Sequence, residues 1–448
     1  MTQIHSNQQR AASLTGGGSS GKPDGSVLQL LRKAALPLLL LAVICFWRNP
    51  AQGCPFCLAP VQTWSEMLDE ADVLLLAELV SSRVDPADQQ PISVLKVLRI
   101  QKGKEHLPQE DRLVLKEYIF GKAGDRVLLK ASMIKLDRVP IADTFAQPSA
   151  SSAIQQTAAT VDQTGSKTDQ LILQPDFFEV VGPEVFEYIV NAPENKEGQQ
   201  ARLPYYIRFL EHSDPLIAAD AWGEFARSEY ADIVAVRQHL SAEKLRTWIG
   251  NRGLSPERLG LYGMLLGLCG NARDAEFLKK EIGQPGSDEI RFGTEGLMGG
   301  LLLLTPEEGL KFLETSRLQN ATTPAFEHFA VINALQFVWT SEPNLLSRER
   351  LRTALHPLLQ QADVREIVIT DLARWEDWNA VHLMSDLYQQ CRTDDVRSAE
   401  AIVKYLIMCS RATEASPENV EAAKTLLESI RKQDAKTVRR AEAALGDE

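Results

Sequence analysis

The chain has 448 residues, 44% of them hydrophobic and 24% charged, a composition suited to two or three globular domains with sizeable cores. Its 48 Lys and Arg stand against 60 Asp and Glu, for a formal net charge of −12. That balance, without a strong basic run, argues against non-specific nucleic-acid binding and against docking on anionic membrane surfaces, both of which need clustered cations.

Residues 1–25 are polar and rich in Ser, Gly and Gln. Arg32 and Lys33 then precede "AALPLLLLAVICFW", a run of 14 apolar residues from Ala34 to Trp47. A spanning helix needs about 20, so the run has the length of a signal-peptide core. Ala51 and Gly53 supply the small residues of a cleavage site, which would leave Cys54 as the mature N-terminus. A long leading region and Arg48 keep an uncleaved anchor open, and Gly53-Cys54 is like the end of a lipobox. Residues 1–53 are therefore expected to be a signal peptide or membrane anchor with a disordered N-region. In every case the folded part is exported across the cytoplasmic membrane, to the periplasm, the cell surface or the medium, where disulfides persist. Membrane contact is expected only through segment 34–47, if it is retained.

Cysteines 54, 57, 269, 391 and 409 follow Gly53. Their odd number leaves at least one unpaired, and so few exclude a disulfide scaffold.

"VQTWSEMLDEA" places Trp64, Met67 and Leu68 at helical spacing. "DVLLLAELV" suits a buried strand. "ISVLKVLRI", "RLVLKEYIF" and "DRVLLKASMIKL" follow as strands divided by turns at "KGKEHLPQED" and "GKAG". Residues 141–169 lack periodicity and are expected to be a disordered insertion, because "QLILQPDFFEVVG" returns as a strand. From Pro183 the period becomes helical. Expected helices are 183–191, 200–211, 214–228, 231–249, 255–269, 271–282, 288–304, 306–316, 324–340, 347–361, 364–374, 378–391, 396–410, 416–432 and 434–445. Asp214, Ser255, Thr305 and Ser416 each precede a Pro at a first helical position. "LLGLCGNARDAEFL" (265–278) and "GLLLLTPEEGLKFL" (300–313) echo one another at an offset of 35, which suggests stacked helix pairs.

Cys54-Pro55-Phe56-Cys57 is the sharpest motif. Haem attachment needs His after the second Cys, and Leu58 is there; zinc needs a second pair, and none exists. A structural disulfide between Cys54 and Cys57 and thiol–disulfide chemistry by the same pair both remain. In "DPLIAADAWGEFARSEYADI" (214–233), Asp220, Glu224 and Arg227 fall at i, i+4 and i+7. They read either as an intrahelix ion-pair row or, with Trp222, as a polar patch facing the strand region or a partner. His382 and Asp386, also at i, i+4, offer at most two metal ligands. "RWEDW" (374–378) reads as an aromatic corner, and "GTEGLMGGLLLL" as a site of close helix contact.

Four resemblances follow from these segments. The Cys pair, "EADVLLLAELV", "ISVLKVLRIQKGK" and "GKAGDRVLLKA" resemble the netrin-like module of tissue inhibitors of metalloproteinases, although the pair is spaced C-x-x-C rather than C-x-C. That resemblance implies a small β-barrel of the oligonucleotide/oligosaccharide-binding (OB) type, with Cys54 offering its amine and carbonyl to a protease zinc. CPFC before a helix and a strand is also similar to the active-site unit of glutaredoxin-like folds. The helical half resembles HEAT-type repeats, and the chain as a whole resembles a secreted bacterial family, which implies no activity.

The expected fold is α+β and multidomain: a small OB-like β-barrel over residues 54–182, then an all-α solenoid of HEAT-like helix pairs over 183–448. The expected function is an extracytoplasmic protein-interaction scaffold with a protein partner and no nucleic acid. No catalytic residue, cofactor or metal site is expected. The alternatives are an envelope thiol–disulfide oxidoreductase and a netrin-like protease-binding module.

Overall fold

The computed structural model describes residues 53–57, 62–84, 86, 89–107, 111–135, 171–283, 291–320 and 322–446. The segment expected to be a signal peptide or membrane anchor (1–53, including 34–47), except Gly53, and the expected insertion 141–169 lie outside them. Among the described residues, no helix is long and apolar enough to cross a membrane.

A short helix, α1 (Trp64–Glu70), leads into five strands: β1 (Val73–Val84), β2 (Pro91–Lys102), β3 (Arg112–Leu115), β4 (Arg126–Lys135) and β5 (Leu171–Val181). They form one antiparallel sheet in the order β3-β2-β1-β4-β5. The expected barrel is thus, among the described residues, an open sheet edged by β3 and β5. Pro175 is tolerated in β5 because an edge strand needs only one ladder.

The third strand was expected to run through 112–120 but stops at Leu115. Beyond it, side chains replace the ladder. The Ser93 hydroxyl donates to the Glu117 carbonyl (2.7 Å) and accepts from the Ile119 amide (3.0 Å), and the Ser82 hydroxyl donates to the Ile119 carbonyl (2.8 Å).

Alternation along the strands makes two apolar faces. Leu75, Leu79, Leu95, Leu113, Ile119 and Leu129 close a small core on one face. On the other, Leu74, Leu76, Leu128 and Val181 join the large core of the helices.

Sixteen helices follow the sheet among the described residues. They are α2 (Pro183–Asn191), α3 (Gln199–Tyr206), α4 (Pro215–Arg227), α5 (Tyr230–Ala235), α6 (Ala242–Ile249), α7 (Pro256–Cys269), α8 (Ala272–Gly283) and α9 (Thr294–Leu304). Then come α10 (Pro306–Leu313), α11 (Ala325–Ser341), α12 (Arg348–Leu355), α13 (Arg365–Arg374), α14 (Val381–Cys391), α15 (Val396–Arg411), α16 (Pro417–Gln433) and α17 (Ala435–Gly446).

Proline starts α4, α7, α10 and α16 as expected. Asp214 and Ser416 cap with their side chains, accepting from the Leu216 and Asn419 amides. The expected helix 231–249 is divided, because Ser241 caps a new start by accepting from the Lys244 amide. The expected helix 347–361 ends at Leu355, and Pro357 lies in the 3₁₀ turn that follows.

Helix α7 packs on α9, α9 on α11, α13 on α15, and α15 on α17. The α7–α9 contact is made by backbone. A Cβ at Gly263 would lie 2.5 Å from the Gly296 carbonyl carbon, and one at Gly267 would lie 2.5 Å from the Gly300 Cα.

Candidate functional site

The two features singled out from sequence meet at one junction. Gly53 lies against the backbone of α4, where any side chain on it would strike the Ala226 carbonyl (2.6 Å). The Cys54 amide donates to that same carbonyl (3.1 Å). Cys54 and Cys57 are joined by a disulfide, and the Cys57 amide donates to the Cys54 carbonyl (3.2 Å), which closes a turn. Both Cys54 groups that a netrin-like inhibitor would offer to zinc therefore bond within the chain, and Cys54 is 6% exposed. Cys57 is half-buried.

Phe56, inside the disulfide ring, points into the helices and is buried. Its ring lies 4.9 Å from that of Phe337 on α11, which in turn lies 5.1 Å from Tyr230. Gly260 of α7 and Gly299 of α9 form the walls. A Cβ at Gly299 would sit 2.5 Å from Phe56 Cζ, and one at Gly260 would sit 2.8 Å from the Phe56 carbonyl.

The opposing terms here are of similar size. Burying a Phe side chain contributes about 1.5–3 kcal/mol, and closing so short a ring about 2 kcal/mol. Fixing the four residues of the ring costs about 1–2 kcal/mol each. The seating of Phe56 is therefore finely balanced, and the disulfide carries a large share of it.

Around Ala226 on α4, the residues read either as an intrahelix ion-pair row or as a patch facing the strand region or a partner face inward. Asp220, Glu224 and Arg227 each bond to α1. Asp220 accepts from the Trp64 amide (2.6 Å) and the Tyr188 hydroxyl (2.6 Å). Glu224 accepts from the Ser65 hydroxyl and from Arg202 Nη2 (2.8 Å). Arg227 pairs with Glu66 (2.5 Å), whose other carboxylate oxygen completes a capping box with Thr63.

Two carboxylates thus meet the N-terminal turn of α1, where the helix dipole favours negative charge. Burial, opposed by the Tyr188 and Trp64 hydrogen bonds, pushes the Asp220 carboxyl up to about 7. Trp222 faces away from α1, and its indole N–H donates to the Glu257 carbonyl (3.3 Å) of α7.

Sequence reasoning missed Phe56, Tyr188 and Arg202. The small-residue spacing of Gly260, Gly263 and Gly267 was the available signal for the α7–α9 contact.

Other sequence candidates lie elsewhere. His382 and Asp386 are exposed on α14, and among the described residues no three His, Cys, Asp or Glu side chains group as metal ligands. In "RWEDW", Trp375 stacks on Trp339 at 4.3 Å, Trp378 lies 5.5 Å from Tyr405, and buried Asp377 accepts from His356 (2.6 Å). Burial raises the thiols of Cys269, Cys391 and Cys409, which disfavours the thiolate form that reacts. An open cleft of about 500 Å³ is lined by Glu184, Glu187, Tyr188, Tyr205, Arg208 and His212. The Arg208 guanidinium covers the Tyr205 ring at 4.8 Å.

No protein-family model matches the chain, and no curated protein matches it. What the described residues show is an α+β protein with a small antiparallel sheet followed by many helices, and a disulfide at Cys54–Cys57.

Proposed function

We propose that this is an exported protein-interaction scaffold whose sheet carries the docking surface and whose helices form the frame. One observation carries the reading. Of the twelve large hydrophobic side chains that are exposed among the described residues, seven lie on or beside the sheet: Val80, Val84, Leu98, Val114, Tyr118, Phe120 and Val180. Single exposed apolar residues are ordinary, but a concentration is not.

Phe120 is 84% exposed and Tyr118 packs edge-on against it at 5.0 Å. The loop that bears them is tethered through Ile119 to Ser82 and Ser93, so the aromatic pair is held on a fixed support. Adjacent Gly121 lies against Leu79 and Val180, which places Val180 beside the aromatic pair. Rigid aromatic anchors of this kind dominate binding energy in protein interfaces. The partner we infer is a different protein with an apolar contact face, because a net charge of −12 repels a second copy.

A sheet that encloses its own small core supports the likeness to OB-type barrels. The 35-residue echo falls at the same place in the α7–α8 and α9–α10 pairs, which supports a HEAT-like solenoid. The disulfide, the apolar run 34–47 and the small residues before Cys54 support export.

The test is site-specific photo-crosslinking in the producing cell. A photoreactive residue at position 120 should yield one discrete adduct with another protein, and the same residue at Glu418 should not. Phe120→Asp should remove the adduct while shifting the melting temperature by less than about 2 °C, as a surface change does. Equal adducts from both positions, or an adduct only with a second copy of this chain, would reject the reading.

A further inference from the structure

We propose that Phe56 and the Cys54–Cys57 disulfide are a reducible latch: a dithiol that opens the pair releases Phe56 from a glycine-walled socket between α7, α9 and α11. The socket is a built feature. Its walls exist because Gly260 and Gly299 lack side chains, and its floor is the Phe337 ring. Phe56 belongs to the ring that the disulfide closes. The shape of that ring and the seating of the side chain are therefore one conformational variable.

The redox step balances with a dithiol as reductant. Its thiolate attacks Sγ of Cys57, the less buried of the two sulfurs, and the S–S bond breaks as Cys54 leaves as a thiolate and takes a proton. The reagent's second thiolate then attacks the mixed disulfide, frees Cys57 and closes the reagent's own disulfide. Two electrons pass to the protein pair.

After reduction, among the described residues, the Cys54 amide–Ala226 carbonyl bond, the Cys57 amide–Cys54 carbonyl bond and the burial of Cys54 and Phe56 remain to hold the segment, against the freedom of an open chain. The coupling must run both ways: if the closed disulfide favours the seated ring, the seated ring favours the closed disulfide by the same factor.

Two readouts on the purified full-length chain test this. In redox equilibrium with dithiothreitol, Phe56→Ala and Gly299→Ala should each make the pair about tenfold easier to reduce, or about 30 mV less reducing. Gly299→Ala attacks the latch from the socket side, so agreement between the two variants does not depend on either one alone. By hydrogen exchange, the reduced wild type and Cys57→Ser should exchange amides of α7 and α9 at least tenfold faster than the oxidised chain, while α13 to α17 stay unchanged. Reduction constants that agree within twofold across wild type and both variants would overturn the latch. So would unchanged exchange in α7 and α9, or an equal acceleration in every helix.

Discussion

Asp220 holds two donors and little water, and its response to pH follows from that. Burial raises its folded-state carboxyl to about 7, and nearby Glu224 adds to the effect. The hydroxyl of Tyr188, the amide of Trp64 and the guanidinium of Arg202 work in the opposite direction. In the unfolded chain the same group titrates near 3.8. Between those values the folded state holds a proton that the unfolded state has lost, so stability falls as pH rises through this window and levels above it. A tenfold change in proton affinity is about 1.4 kcal/mol, so the drift totals a few kcal/mol at most. Asp220→Asn keeps an oxygen for the Trp64 amide and places its NH₂ against the Tyr188 oxygen. Denaturant titrations from pH 4 to pH 8 should show wild type losing stability relative to this variant up to about pH 7. A constant difference between the two would remove Asp220 from the account.

The α7–α9 seam sets the strictest limit among the elements. A methyl at Gly296 would be driven into the Gly260 carbonyl, and neither backbone can yield without parting the helices. Gly296→Ala should cost about 1–3 kcal/mol or more despite alanine's better helix propensity. Gly283→Ala, where a Cβ meets only ordinary contact at 4.0 Å from Phe312 Cζ, should stay within about 0.5 kcal/mol. Chemical denaturation of the two variants decides it, and equal midpoints would contradict the seam. Helices such as α2, α4, α7 and α16 were legible in the sequence because Pro at the first position and apolar periodicity are local signals. The short β3 was not, because Ser93 and Ser82 take over its ladder from a distance. For Asp220 and Glu224 the sequence left two readings open, an intrahelix ion-pair row or a patch facing the strand region or a partner, and could not choose between them. Spacing of i, i+4 is the same whether a helix face meets water or the start of α1, and Trp64 lies 156 residues away in sequence from Asp220. Phe56 was hidden for the same reason, since its socket is built from Gly260, Gly299 and Phe337.

The described chain from Gly53 onward belongs to one compact unit, and its core explains how the sheet and helices are joined. Leu74, Leu76, Leu128 and Val181 of the sheet belong to the same core as Val185, Phe186 and Tyr188 of α2. Around that apolar contact the junction is polar and specific. Lys102 donates to the carbonyls of Leu68 and Asp69, Arg99 lies 5.5 Å from the Phe186 ring, and Asp220 and Glu224 hold the N-terminal turn of α1. A sheet tied in this way is held to the helices by much more than its exposed Gly182–Pro183 connection, and its helix-facing side would be wet and apolar if they were removed. The expected result is a single calorimetric transition for the whole chain, with van't Hoff and calorimetric enthalpies in agreement. Residues 62–182 expressed alone should lack dispersed amide resonances. Two resolved transitions, or a folded fragment, would show that the sheet is stable without the helical core, and Leu74 and Leu76 would then have to be covered from within the sheet itself.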